Sequence, residues 1–292
     1  MNRRNQGVAG SNPVGGTIVL NISKVENFEQ ILTFLSLRTG LFCMTAVLGI
    51  VSGKGGCGKT TTSANLSIAL ADNGYKVTAV DGNITTPNLG IHFGMPICPI
   101  TLHDVIKGRV DVGKAIYKHP SGVDFVPAGL SVDDTKNVRP EKFYLAIKQL
   151  FGRDGIVVID GAAGLGREAR TSMALADGLL IVTNPEMPAV ADALKAIKLA
   201  ELTDKPVFGV VLNRVNGHAY EMSKKEVEEM LGIPVLGEIP EDKNIPASIA
   251  AKMPVVKFKP RSKSARAFKK LAANIMGDEH KEERGFSFLW WR

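Results

Sequence analysis

The chain has 292 residues, 45% hydrophobic and 22% charged, with a formal net charge of +7; this suits one α/β domain of about 240 residues plus tails. No window approaches the ~18 unbroken apolar residues that a bilayer span requires. Three cysteines (Cys43, Cys57, Cys98) without C-x-x-C spacing and five scattered histidines (His92, His103, His119, His218, His280) argue against an iron–sulfur or other metal cluster. They point to a reducing cytosol, with each histidine read as a surface or loop residue.

The charge is uneven. Residues 252–292 hold eleven Lys/Arg against four Asp/Glu, and residues 1–43 hold four against two, which leaves the stretch between slightly acidic. An anionic partner is expected to meet the C-terminal end. Residues 1–43 carry no pattern that joins the rest: Met1 to Gly16 is polar and Gly-rich. Gly10-Ser-Asn-Pro13 is also what the T-arm of a tRNA gene would encode if translated. A native start at Met44 is expected, and a genuine flexible extension is the alternative.

From Met44 the periodicities alternate. Strand-like runs cover Val47–Val51, Val77–Val80, Val123–Val126, Ile156–Ile159, Leu179–Val182, Val207–Leu212 and Val235–Ile239. Helical patterns cover Thr60–Asp72, Pro140–Phe151, Arg167–Ala176, Val190–Leu202, Glu221–Leu231 and Ser264–Ile275. Such alternation predicts a mostly parallel central sheet with helices on both faces, a three-layer α/β/α architecture. A ligand then belongs at the carboxyl ends of the strands.

The first strand runs into Ser52-Gly-Lys-Gly-Gly-Cys-Gly-Lys-Thr-Thr-Thr62. This is G-x-x-x-x-G-K-[ST], with Gly53, Gly58, Lys59 and Thr60 in register. The backbone of Gly55, Gly56, Cys57 and Gly58 curls around a phosphate, Lys59 reaches its outer oxygens, Thr60 offers a hydroxyl to Mg²⁺, and Thr61 follows beside it. Strand before and helix after is the context of a P-loop NTPase, whose helix points its positive end at the same anion. No N-K-x-D guanine signature is present, which favours ATP.

Lys54 lies inside the loop, in Lys54-Gly-Gly-Cys-Gly-Lys-Thr-Thr61. This resembles the deviant Walker A motif of the MinD/ParA ATPases, K-G-G-x-G-K-[ST]-[ST]. The resemblance implies a homodimer in the ATP state, with Lys54 reaching across to the partner's nucleotide. Four further segments follow in the family's order. Asp81-Gly-Asn-Ile-Thr-Thr-Pro-Asn-Leu89 resembles switch I, with Asn83 where relatives carry the carboxylate that orients the attacking water; this implies slow ATP hydrolysis. Asp81 either helps place Mg²⁺ or caps the next turn. Ile156-Val-Val-Ile-Asp160 is a Walker B pattern in which Asp160 holds a Mg²⁺-bound water. Gly161-Ala-Ala-Gly-Leu-Gly166 resembles switch II, with Ala162 in place of proline and Gly164 approaching the γ-phosphate. Asn213 implies adenine readout, with Pro240 and Glu241 lining the other side of the base. By itself, Asn213 reads as a loop cap.

The tail separates sub-families. The residues Ala265, Phe268, Leu271, Ala272 and Ile275 share a helical face expected to pack on the sheet, leaving Arg266, Lys269 and Lys270 exposed. A charged linker, Asp278–Arg284, precedes Gly285-Phe-Ser-Phe-Leu-Trp-Trp-Arg292. Aromatic residues beside a cation suit the membrane interface, and the segment resembles the membrane-targeting end of MinD proteins, with Phe286, Leu289 and Trp290 on one face and Trp291 off it; packing onto the body or onto a protein partner is the alternative. The expected organisation is an extension (1–43), an ATPase domain (44–277), and a linker with a targeting segment (278–292). The reading is a MinD-like ATPase, cytoplasmic and peripheral at the inner membrane face. It would act in cell division or protein positioning, with anionic lipid and an activating or cargo protein as partners. Two rivals stand beside it: a ParA-like ATPase using residues 257–270 on DNA, and a non-hydrolysing scaffold suggested by Asn83.

Overall fold

The computed structural model describes residues 45–277 apart from 137, 139, 151, 152 and 154; the expected extension and the aromatic tail lie outside the described residues. Eight strands are formed: β1 (Thr45–Ser52), β2 (Val77–Asp81), β3 (Tyr117–Lys118), β4 (Asp124–Val126), β5 (Gly155–Ala163), β6 (Gly178–Thr183), β7 (Val207–Val215) and β8 (Val235–Pro240). They make one sheet in the order β3-β4-β2-β5-β1-β6-β7-β8. Among the described residues only the edge pair β3–β4 is antiparallel.

The central strands read as unbroken apolar runs because both of their faces are covered. In β1, Ala46, Leu48 and Ile50 enter one core while Val47 and Val51 enter the other. Leu180 and Val182 of β6 join the first core, and Leu179 and Ile181 join the second. Helix α1 (Lys59–Asp72) covers the first face together with the last helix of the described chain. The second face carries Arg167–Leu175, within one residue of its expected span, and Met187–Leu202, which begins three residues before the expected Val190, beside Pro140–Lys148 and Lys224–Leu231.

In chain order the helices after α1 are α2 (Leu89–His92), α3 (Leu102–Ile106), α4 (Val132–Thr135), α5 (Pro140–Lys148), α6 (Arg167–Leu175), α7 (Met187–Leu202), α8 (Lys224–Leu231), α9 (Asn244–Ala250), α10 (Val255–Phe258) and α11 (Lys263–Met276). Helices α2, α3, α4, α9 and α10 escaped the periodicity because one or two turns present no full hydrophobic period. Capping boxes at Thr101/Asp104 and Ser131/Asp134 mark two of them. Helix α8 starts at Lys224 rather than at the expected Glu221, because Ser223 accepts from Glu226 N and closes the helix there. Strand β5 runs past its expected end at Ile159 to Ala163, carrying Asp160 to the same level as the end of β2.

Candidate nucleotide-binding site

Residues 53–58 join β1 to α1. Gly56 and Gly58 have φ of 83° and 93°, a left-handed backbone that an L side chain resists. Gly53 is needed for space: a Cβ there would stand 2.0 Å from the Asp192 carbonyl oxygen in α7. The N-terminus of α1 has no side-chain cap and no acidic residue in its first turn, so its free N–H groups point at a position where an anion would satisfy them. Lys59 is buried, and its ammonium donates to Ser52 Oγ at 3.0 Å. Ser52 in turn donates to the Lys54 carbonyl at 2.6 Å. Burial pulls the Lys59 ammonium below its ordinary value, against the pull of Asp160. Lys54 has no carboxylate within ion-pair distance among the described residues. Burial pushes the Cys57 thiol up, so it sits in the loop as a small packing group rather than a thiolate.

Because β2 and β5 pair in parallel register, Asp81 and Asp160 lie side by side. Both are 1% exposed. Burial drives both carboxyl groups up, and the neighbouring Asp160 adds to the rise at Asp81. Asp160 accepts from Ser63 Oγ at 2.9 Å and from the Thr60 hydroxyl. Asp81 accepts from Leu89 N at 2.9 Å and Asn83 N at 3.3 Å, so in this conformation it caps the turn into α2. Two buried carboxylates beside a hydroxyl and a lysine are an arrangement that a dication would relieve. The described residues contain no cluster of three or more His, Cys, Asp or Glu able to hold a metal. Mg²⁺ takes few protein ligands and completes its shell with phosphate and water.

The loop after β2 is pinned from several sides. Asn83 Nδ2 donates to Thr86 O at 2.7 Å, and Asn83 Oδ1 accepts from Thr86 N at 3.3 Å and Thr86 Oγ1 at 3.1 Å. Both ends of this amide are therefore spent inside the loop, and orienting a water would require the loop to open. Thr85 Oγ1 donates to Glu168 in the first turn of α6. Gly164, between β5 and α6, has φ of 78° and open space around it.

The reading of every histidine as surface or loop is corrected by His103, which is 0% exposed. Gly129 N donates to its Nδ1 at 2.9 Å, so Nε2 carries the proton and donates to Ile84 O at 3.0 Å. This neutral ring ties the loop to the segment after β4. His92 Nδ1 donates to Asn88 O at 3.1 Å, which leaves Nε2 to accept from Thr61 Oγ1 at 3.3 Å. No period in the sequence marks either ring, since His103 serves the Ile84 carbonyl 19 positions away and His92 meets Thr61 31 positions away.

At the end of β7, Asn213 is 3% exposed. Its Nδ2 donates to Cys57 O at 2.7 Å, so it holds the phosphate loop rather than capping its own loop. Its Oδ1 is buried without a partner, an unmet acceptor that an exocyclic amino group would satisfy. The same contact explains Gly58, where a Cβ would fall 2.0 Å from Asn213 Nδ2. A cavity of about 240 Å³ beside it is lined by Asn184, Pro185, Glu186, Arg214, Tyr220 and Glu241, among others. Pro240 ends β8, and Glu241 stands 3.9 Å from Arg214. Asn213→Ala removes both the brace and the acceptor. ATP affinity should fall about 10- to 100-fold by calorimetry, the worth of one or two buried hydrogen bonds; an unchanged Kd would place the base elsewhere.

Asp242 ends Ile239-Pro-Glu-Asp242, the segment that the resemblance sets beside the base, and its carboxylate braces α9 and α11. It accepts from Asn244 N at 2.9 Å and Nδ2 at 2.7 Å, and from Ser264 N at 3.2 Å and Oγ at 2.8 Å. Burial opposes ionisation, but these donors hold the carboxyl down to about 2. A depressed folded value means stability that is full above the ordinary 3.8 and lost as pH falls toward 2. Asp242→Ala should lower the urea midpoint at neutral pH by the equivalent of roughly 2 kcal/mol, with a smaller difference from wild type below pH ~3.

The chain has recognisable relatives. The model of the CobQ/CobB/MinD/ParA nucleotide-binding domain matches residues 48–255. An uncharacterised ATP-binding protein of Methanocaldococcus jannaschii is 38% identical over 240 residues, covering 82% of this chain and 91% of its own length. The crystal structure of the Pyrococcus furiosus cell division ATPase MinD superposes with a TM-score of 0.77 at 38% identity, over 80% of this chain and 98% of that one. The septum site-determining protein MinD of Pyrococcus horikoshii, complexed with Mg-ADP, gives a TM-score of 0.77 at 37% identity, over 80% and 96%.

Proposed function

The chain belongs to the CobQ/CobB/MinD/ParA family of nucleotide-binding domains, and from that premise we propose a MinD-like ATPase that dimerises on ATP and docks on the inner membrane surface. In this reading it is a spatial regulator of cell division or of protein positioning. The observation that carries the proposal is the division of labour between two lysines in one loop. Lys59 is buried and held by Ser52, committed to its own nucleotide. Lys54 has no ion-pair partner among the described residues, and is free to meet the phosphates of a second subunit.

In this proposal the site residues divide the work. The backbone of Gly55, Gly56, Cys57 and Gly58 with Thr61 cradles phosphate oxygens, and Lys59 neutralises them from a site of low dielectric. Thr60 and Asp160 would hold Mg²⁺ or its water, with Asp81 beside them. Bound there, the metal supplies charge neutralisation to the phosphates. Asn213, Pro240 and Glu241 surround the base. Once the loop after β2 opens and Oδ1 leaves Thr86, Asn83 would orient the attacking water through an amide oxygen rather than a carboxylate, a rearrangement that makes turnover slow. The Mg-ADP bound by the Pyrococcus horikoshii relative supports this pairing of nucleotide and metal. Docking is assigned to Phe286, Leu289, Trp290 and Trp291, outside the described residues.

One short aromatic segment binds a bilayer marginally, whereas two on one dimer dock at high effective concentration. Sedimentation with anionic vesicles is therefore expected to need ATP, to weaken in salt, and to be lost in Trp290→Ala/Trp291→Ala. Equal sedimentation by that variant, or with ADP, would overturn the docking assignment.

A further inference from the structure

We propose that the outward face of α11 and the loop leading into it form a second lipid contact, a cationic surface on the folded body that lies against an anionic phospholipid bilayer. The inference rests on the membrane reading but is separate from the aromatic tail. Between residues 251 and 277 the chain has eight Lys/Arg and no Asp/Glu. Lys259, Arg261, Lys263, Arg266, Lys269 and Lys270 are all exposed. At ~100° per residue, Lys263, Arg266, Lys269 and Lys270 fall within an arc of about 120°. The opposite side, with Ala265, Phe268, Leu271, Ala272 and Ile275, is buried in the first core. Packing on α1 and β8 fixes the helix, so the cationic arc has one direction relative to the nucleotide site.

This arrangement is locally unfavourable, which separates it from an ordinary solvated face. Lys263 and Arg266 stand in the first turn of α11, where no acidic residue occurs, and cations there oppose the helix dipole. Arg266 and Lys270 repel at i,i+4. Helix α8 of the same chain does the reverse: Lys224 faces Glu228 at 3.8 Å, Lys225 faces Glu229 at 3.7 Å, and Glu226 completes the cap. In the 251–277 stretch only Lys257 has a carboxylate in ion-pair range among the described residues, Asp72 at 2.6 Å. A surface that breaks the chain's own rule at several positions signals a partner of opposite charge.

The chemistry favours lipid over nucleic acid. The arc lies on the convex back of a helix and offers no exposed ring on which bases could stack, since Phe268 is 0% exposed. The same helix leads, within fifteen residues, into Gly285-Phe-Ser-Phe-Leu-Trp-Trp-Arg292, a composition suited to the bilayer interface. Cations beside such a segment are drawn to the surface potential of anionic lipid.

The test uses the full chain with Mg-ATP and vesicles of phosphatidylglycerol in phosphatidylcholine, comparing wild type, Lys263→Glu/Arg266→Glu/Lys270→Glu, and Trp290→Ala/Trp291→Ala. The triple variant should bind anionic vesicles about 100-fold more weakly, roughly fivefold per cation lost. Acidic residues in the first turn complement the dipole, so its melting temperature should be no lower and misfolding would not explain the loss. Wild-type vesicle binding by the triple variant, with loss in the tail variant, overturns the surface and leaves the tail assignment standing. Loss in the triple variant alone supports the surface and removes the tail assignment. A duplex DNA mobility shift abolished by the triple variant, with vesicle binding unchanged, would assign the face to nucleic acid and overturn the proposal.

Discussion

Lys54→Ala should bind Mg-ATP with an affinity within about threefold of wild type yet remain monomeric, because the residue's charge is spent on the other subunit's nucleotide. In the resting fold its backbone carbonyl already serves its own site, accepting from Ser52, which holds Lys59. The substitution leaves that carbonyl in place and removes only the ammonium. A charge that meets phosphate in a closing interface is worth roughly 3 kcal/mol or more when its partner would otherwise be buried alone. The dimer dissociation constant should thus rise at least about 100-fold. Turnover should fall at least as far, since a cation supplied across an interface stabilises charge in the transition state. Lys54→Arg should restore part of both. A dimer of normal stability in Lys54→Ala would remove the cross-subunit role, whereas lost ATP affinity would show that the lysine serves its own nucleotide.

The second large effect is expected at Asn83. Asn83→Asp places a carboxylate at the position proposed to orient the attacking water, and should raise turnover about fivefold, near 1 kcal/mol of barrier, at unchanged ATP affinity. The local geometry pushes the same way. The amide donates to Thr86 O at 2.7 Å, and a carboxylate cannot, so the loop would release the side chain more readily. Asn83→Ala should fall below wild type because nothing remains to orient the water. Equal rates for the three proteins would show that residue 83 only shapes its loop.

What was legible in the sequence was what repeats or sits in a motif. The central strands were visible because strands covered on both faces are continuous apolar runs, β8 because its apolar residues outweigh the exposed Glu238, and α1, α5, α6, α7, α8 and α11 because their apolar periods are long enough. Strand β3, two residues at an antiparallel edge, carries no such signal. At the site, residues whose partners lie nearby in sequence were readable: Lys59 beside Ser52, or Gly56 and Gly58 in a loop that needs positive φ. Contacts made across the fold were not, even at a residue such as Asn213 that was itself singled out. Asn213 braces Cys57 from 156 positions away, His103 reaches Ile84 and Gly129, and Asp242 gathers Ser264 from across the fold. Each is a buried polar group placed by tertiary packing, and nothing in its neighbours announces the partner. The carboxylate pair lies between: Asp160 ends a readable strand, but its closeness to Asp81 depends on the β2–β5 register.

The central claim is that ATP, and not ADP, makes this chain a dimer. Light scattering of the full chain, 31.3 kDa as a monomer, measures it directly in saturating Mg-ADP and in Mg-ATP with a non-hydrolysable analogue as control. The account predicts the monomer mass with ADP and about twice that mass with ATP, as a nucleotide-linked association requires. The same mass in both states would contradict it.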